Sequence, residues 1–252
     1  MYMRLVQIEV KDGALPGLRD FYTRHTIPTL HQVKGCRYAG LMQSVHHPEQ
    51  CISLTLWDSQ EDAHAYESGG VYKQLLEDTR PYLSESSEYK IQLSEDLTIE
   101  YVPVHQEPLV KTYPIAARSE VPASGRDEGT AIWLRIVSLK ILPGRMDEFK
   151  RLYAEHSIPA LRGVKGCRYV YLLESDERSH EVLSVTSWDS KQDAEAYENS
   201  GLFEQLLEAQ KHTLSGLYQW KRSLGKVEAS HSATSEDVMV EHYTVLTGKN
   251  FK

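Results

Sequence analysis

The side chains in this sequence that could do chemistry come in pairs. His25 and His156 each follow a tyrosine by three residues, in the runs Tyr22-Thr23-Arg24-His25 and Tyr153-Ala154-Glu155-His156. Histidine's ordinary pKa lets it take or give a proton near neutral pH, so these two are the candidate catalytic groups. The plainer alternative is a structural histidine bonded to its tyrosine neighbour or to local backbone. Arg37 and Arg168 each stand two residues past a glycine, and Arg4 and Arg135 repeat on earlier strand-like segments. A guanidinium can hold an anionic oxygen, although an exposed ion pair is the default for such a residue. Tyr38 and Tyr169 come next in the chain and offer a phenol donor. Trp57 and Trp188 head matching Trp-Asp-Ser runs. Indole has no acid-base role near neutral pH, so both are read as the wall of a core or pocket.

Other chemistries find no support. Cys36, Cys51 and Cys167 include no close pair with metal-ligand spacing, and a small buried hydrophobe is the better reading of Cys36 and Cys167. No Ser-His-Asp order, phosphate loop or dinucleotide fingerprint appears. The repeated Glu67/Glu198 and Asp62/Asp193 read as solvated helix charge. Neither a metal nor a cofactor is predicted.

The elements that must position these groups follow from an internal repeat. Val33-Lys34-Gly35-Cys36-Arg37-Tyr38 recurs as Val164-Lys165-Gly166-Cys167-Arg168-Tyr169, and the same spacing carries Trp57-Asp58-Ser59 onto Trp188-Asp189-Ser190. The chain is therefore a tandem duplication. In the first copy Arg4, Val6, Ile8 and Val10 alternate along one strand face, matched by Arg135, Val137, Leu139 and Ile141. Pro16 opens a helix with Leu18, Phe21, Tyr22 and His25 on one stripe, and Pro28 and Pro159 are expected to bend or end the two copies of it. A strand over Cys36–Met42 turns back through Ile52–Trp57. Ser59 with Asp62, and Ser190 with Asp193, then form capping boxes that open a second helix. Closing strands are predicted over Leu97–Val104 and Val238–Leu246, the second preceded by an insertion of about ten residues.

The order is β-α-β-β-α-β twice, an α+β class of two ferredoxin-like domains over 1–104 and 131–252, joined by a Pro-, Ser-, Gly- and charge-rich linker over 105–130. A four-stranded sheet with helices on one side leaves an apolar face open. The second sheet is its simplest cover, which predicts sheet-to-sheet packing as a pseudo-dimeric α/β barrel with a cavity between the sheets.

Composition narrows the partners. Hydrophobic residues make up 40% and charged residues 25% of the 252 residues, with a formal net charge of −8. That balance excludes the concentrated basic face a nucleic acid needs and argues equally against an anionic membrane surface. No apolar run approaches bilayer length, and Met1–Val10 alternates like a strand rather than a signal peptide. The cysteine usage points to a reducing cytoplasm. The expected arrangement is an intrachain pseudo-dimer, with further association into homo-oligomers left open.

The duplicated β-α-β-β-α-β unit, with Trp57-Asp58-Ser59 leading into an acidic helix start, resembles the antibiotic biosynthesis monooxygenase family of dimeric α/β barrels. Members include cofactor-independent oxygenases of phenols and quinols, in which the substrate supplies the electrons. The resemblance therefore implies an oxidoreductase acting on a small apolar or aromatic molecule. A histidine (His25 or His156) would be the base, and Arg37, Arg168, Tyr38, Tyr169, Arg4 and Arg135, with Trp57 and Trp188, the binding groups. The alternative is a non-catalytic small-molecule-binding or stress-associated module on the same barrel. A haem-binding or haem-degrading relative is a third reading, suggested by Phe21-Tyr22-Thr23-Arg24-His25. Where haem-degrading members place an Asn, a Trp and a His, this chain has Val6, Tyr66 and Leu76, and again Val137, Tyr197 and Leu207, none of which replaces a histidine ligand.

Overall fold

The computed structural model describes residues 1–84, 89–93, 99–103, 109–120, 133–175, 180–215 and 238–251. The first copy comprises strand β1 (Tyr2–Glu9), helices α1 (Leu15–Phe21) and α2 (Ile27–His31), strands β2 (Cys36–Ser44) and β3 (Gln50–Trp57), and helices α3 (Gln60–Ser68) and α4 (Gly70–Thr79). After it come β4 (Tyr89–Leu93), β5 (Ile99–Pro103) and β6 (Leu109–Glu120). The second copy repeats the pattern as β7 (Trp133–Lys140), α5 (Met146–Leu152), α6 (Ile158–Arg162), β8 (Cys167–Glu174), β9 (Glu181–Trp188), α7 (Lys191–Asn199), α8 (Leu202–Gln210) and β10 (Val238–Asn250). Both copies are ferredoxin-like units, as the periodicity predicts.

In the second copy the strand order is β10-β7-β9-β8, with Arg135 opposite Thr186 and Val137 opposite Ser184. Strand β6 extends this sheet beyond β8, Ile115–Glu120 pairing with Leu173–Tyr169. In the first copy β3 lies between β1 and β2, and the Phe251 N–H donates to the Arg37 carbonyl at 2.7 Å. One compact unit is built on the first copy and takes in the chain from Leu246; the other is built on the second copy and takes in β6 from Thr112.

Three expectations change. The stretch over Leu97–Val104 is predicted to close the first sheet, but Ile99–Pro103 pairs with Tyr89–Leu93 as a separate two-stranded sheet. The stretch 105–130 contains β6, whose Ile115–Glu120 pairs with β8, because its run of apolar and β-branched residues suits a strand. Pro28 and Pro159 do not end their helices. Each follows a π-helical turn, Tyr22–Thr26 or Tyr153–Ser157, in which the N–H of Ile27 or Ile158 donates five residues back, to the carbonyl of Tyr22 or Tyr153. The wider turn accommodates a proline that has no N–H to give. It also keeps Tyr22, Thr26, Tyr153 and Ser157 buried while rotating His25 and His156 into solvent.

The serine caps form as predicted, but the aspartates bond the serine hydroxyls rather than the serine backbone N–H groups that a full capping box would engage. The Ser59 and Ser190 hydroxyls accept the N–H of Asp62 and Asp193 at 3.1 Å and donate to their carboxylates. The preceding Lys-Gly turns need glycine for two reasons. Gly35 and Gly166 have φ of +79° and +80°, and a Cβ on either would lie 2.5 Å from the capping aspartate.

Candidate functional site

The site grows from the strand face that looks toward the helices. On β3 and β9 the alternation brings Ser53, Thr55 and Trp57, or Ser184, Thr186 and Trp188, to that side. Trp57 and Trp188 are fully buried. Their indole N–H groups donate to Thr55 and Thr186 at 2.8 and 2.9 Å. The hydroxyls of Tyr22 and Tyr153 reach across from the π turns to Ser53 and Ser184, at 2.8 and 2.6 Å. Complete burial pushes both tyrosines far above the ordinary phenol value. They are neutral hydroxyls that donate and accept, not bases.

An arginine from the first strand of each copy completes the row. Arg4 is 1% exposed and Arg135 2%. The Arg4 guanidinium carbon stands 4.3 Å from the centroid of Tyr72 and 5.6 Å from that of Tyr66. Arg135 stands 4.2 Å from Phe203 and 5.5 Å from Tyr197. Tyr66 stacks on Trp57 and Tyr197 on Trp188, at 5.0 and 5.1 Å. Aromatic faces offset part of the cost of burying these cations. A carboxylate offsets more in the second copy, where Arg135 Nε donates to Glu198 Oε1 at 2.6 Å.

Between the sheet and helices of the second copy lies a cavity of about 30 Å³. Its polar lining is Arg135, Tyr153, Ser157, Ser184, Thr186 and Gln210, and the rest of its walls are apolar. Gln210 donates to Ser157 at 2.7 Å, and its own Oε1 is buried with no donor. This volume holds one or two waters. An aromatic ligand would need α8, which carries Phe203 and Gln210, to move outward.

Of the residues singled out in the second copy, only Arg135 lines this cavity. Trp188 backs it through Thr186. His25 and His156 are exposed, and His25 stacks on Phe21 at 5.2 Å. Arg37 and Arg168 lie at β-bulges opposite Trp57 and Trp188 and pair with Asp58 and Asp189, the former at 2.7 Å. The first pair is exposed and the second half-buried, and neither lines the cavity. Tyr38 packs over Gly40 and Gly248, and Tyr169 stacks on Tyr171 at 6.2 Å. The sequence reading puts the cavity between the sheets. The cavity here is on the helix side, because the Arg135-Val137-Leu139 face of β7 is the one that meets the helices. Burial pushes the thiols of Cys36, Cys51 and Cys167 up to about 12, which makes them inert. Among the described residues no cluster of His, Cys, Asp and Glu is arranged to hold a metal ion, and no helix is long and apolar enough to cross a membrane.

Sequence reasoning does not single out Ser184, Thr186, Ser157 and Gln210 as site residues. The signal for the first two is a polar stripe on a strand face that also carries a buried tryptophan, present in both copies. Ser157 and Gln210 depend on the π turn and on the docking of α8, which no local pattern announces.

The profile of the antibiotic biosynthesis monooxygenase family matches residues 1–78 and again 134–209. Among curated proteins none matches the sequence significantly. Among solved structures, a Fusobacterium nucleatum protein described as a "putative monooxygenase" aligns over 99% of this chain and 94% of its own, with a TM-score of 0.68 at 8% identity. A Lactobacillus acidophilus protein described in the same words aligns over 99% and 95%, with a TM-score of 0.64 at 7% identity. An anthrone oxidase-like protein aligns over 99% and 93%, with a TM-score of 0.57 at 14% identity. At these identities the likeness is one of fold.

Proposed function

This chain belongs to the antibiotic biosynthesis monooxygenase family, and on that premise we propose that it oxidises a small hydroxylated aromatic of quinol type with molecular oxygen and no bound cofactor. The observation that carries the reading is the cavity of the second copy, with apolar walls and cationic and hydroxylic groups at Arg135, Tyr153 and Ser184. Such a lining suits a flat apolar ring bearing one ionisable oxygen.

The proposed chemistry asks little of the protein. Arg135, buried and already paired through Nε with Glu198, offers its remaining N–H donors to the ionised form of a substrate phenol. The Tyr153 hydroxyl, held neutral by burial, donates to the same oxygen, and Gln210 Oε1 accepts from a second hydroxyl. The electron-rich anion then gives electrons to oxygen. One oxygen atom replaces the hydrogen on the ring carbon as a carbonyl, the other leaves as water with the ring and hydroxyl hydrogens, and the product is a quinone. The apolar walls keep bulk water from the reactive anion.

Oxygen uptake by chelator-treated protein, measured against quinols and dihydroxy-aromatics with protein-free autoxidation as the blank, tests this. Uptake above the blank that falls about a hundredfold or more in Tyr153→Phe and Arg135→Ala is the expected result, the loss of one transition-state hydrogen bond being about that large. Uptake that falls in His156→Ala but not in Tyr153→Phe would move the chemistry to the exposed helix face. No uptake with any of them would leave a binding module.

A further inference from the structure

The two copies place the same arginine in the same aromatic setting and treat its charge differently. Arg135 gives its Nε–H to Glu198. The corresponding carboxylate in the first copy, Glu67, comes no closer to Arg4 than 3.7 Å, too far for a hydrogen bond. Arg4 Nε and Nη2 are both buried and have no hydrogen-bond partner, although the residue is only 1% exposed. A buried guanidinium with two idle donors is costly. The native fold would shed that cost wherever a suitable acceptor entered.

We propose that Arg4 is a binding site for the carboxylate of a small aromatic acid, and that the second copy has lost this site to its own Glu198. Nε and Nη2 form one edge of the guanidinium, the fork that meets the two oxygens of a carboxylate side on. The rings of Tyr66 and Tyr72 flank that group, so an aromatic body fits the surroundings better than a strongly hydrated inorganic anion. The group a ligand carboxylate would displace is Glu67, whose side chain is 37% exposed and forms a 3.7 Å ion pair with Arg4 but no hydrogen bond. The duplicated chain thus holds one open cationic fork and one filled by its own carboxylate. The inference rests on the surroundings of Arg4 and not on turnover, so it stands or falls separately from the oxidase reading.

Isothermal titration of the full chain with benzoate tests it. The wild type should take up one equivalent. Arg4→Lys, which keeps the charge and removes the fork, should weaken binding at least tenfold. Glu198→Ala removes the acceptor and frees the fork of Arg135, and the stoichiometry should rise from one to two. Glu67→Gln removes a competing charge and should tighten binding, a readout that holds even if Arg4→Lys fails to fold. Absence of benzoate binding, binding that survives Arg4→Lys in folded protein, two equivalents in the wild type, or unchanged or weaker affinity in Glu67→Gln would each overturn the proposal.

Discussion

Tyr153 and Ser184 show what a single buried hydrogen bond does in this protein. Their hydroxyls meet at 2.6 Å, and Tyr153→Phe leaves Ser184 without its partner in a site that water reaches poorly. The substitution should cost about 1–3 kcal/mol, read as a lower urea midpoint at unchanged slope. The two buried tyrosines also set an alkaline limit. Burial raises Tyr22 and Tyr153 above their ordinary value of 10.0 in the folded state only. Above about pH 10 the unfolded chain therefore gives up protons that the folded chain keeps, and stability falls as pH rises. The Tyr22→Phe/Tyr153→Phe double variant should flatten that fall in a pH series of thermal melts, although it starts from a lower stability. On the acid side the sign reverses. Arg37 holds the Asp58 carboxyl below the usual carboxylate range, so this pair contributes above that range and its contribution is lost as pH drops through the lowered value.

At the scale of elements, the Lys-Gly turn and the capping box are one device. Gly166→Ala combines a left-handed backbone with a methyl group driven against Asp193, and should cost about 2–3 kcal/mol from strain and a displaced cap. Gly144→Ala is the control. Its φ is +76° but nothing lies within 4 Å of the added Cβ, so it should cost about 1–2 kcal/mol from backbone strain alone, with the difference visible in paired urea titrations. These devices are legible in the sequence, because Ser59-Asp62 and Ser190-Asp193 are local spacings and the repeat shows each of them twice. The strands and helices shared by the two copies up to the second helical segment are legible for the same reason, whereas the closing strand expected over Leu97–Val104 is not where the sequence puts it. The exposure of His25 is not legible: on an ideal helix it shares the stripe of Tyr22, and only the π turn ahead of Pro28 turns it to solvent. The role of Leu109–Glu120 is hidden as well. A strand that pairs with a partner about 50 residues away in sequence leaves no local mark beyond its alternation, and the charge and proline around β6 read as a connector.

At the scale of the whole chain, the copies are not independent beads. Strand β6 follows the first copy and pairs in the sheet of the second. The chain's end belongs with the first, where Phe251 is buried, lies 4.9 Å from the ring of His31 and bonds to Arg37. Phe251→Ala should cost about 3 kcal/mol, and hydrogen exchange should show the loss in β2, far away in sequence. A chain with two copies can keep both folded while their sites diverge, as Glu67 and Glu198 have. On the proposed reading, the space between sheet and helices of the second copy supports oxygenation by the substrate's own electrons. The measurement that tests it most directly is turnover of a hydroxylated aromatic under ¹⁸O₂ by chelator-treated protein, with product and water both analysed by mass spectrometry. The account predicts one labelled oxygen in the quinone and one in water, at a rate above the protein-free blank and lost in Tyr153→Phe. Product that carries no label, or label that appears equally without the protein, would contradict it.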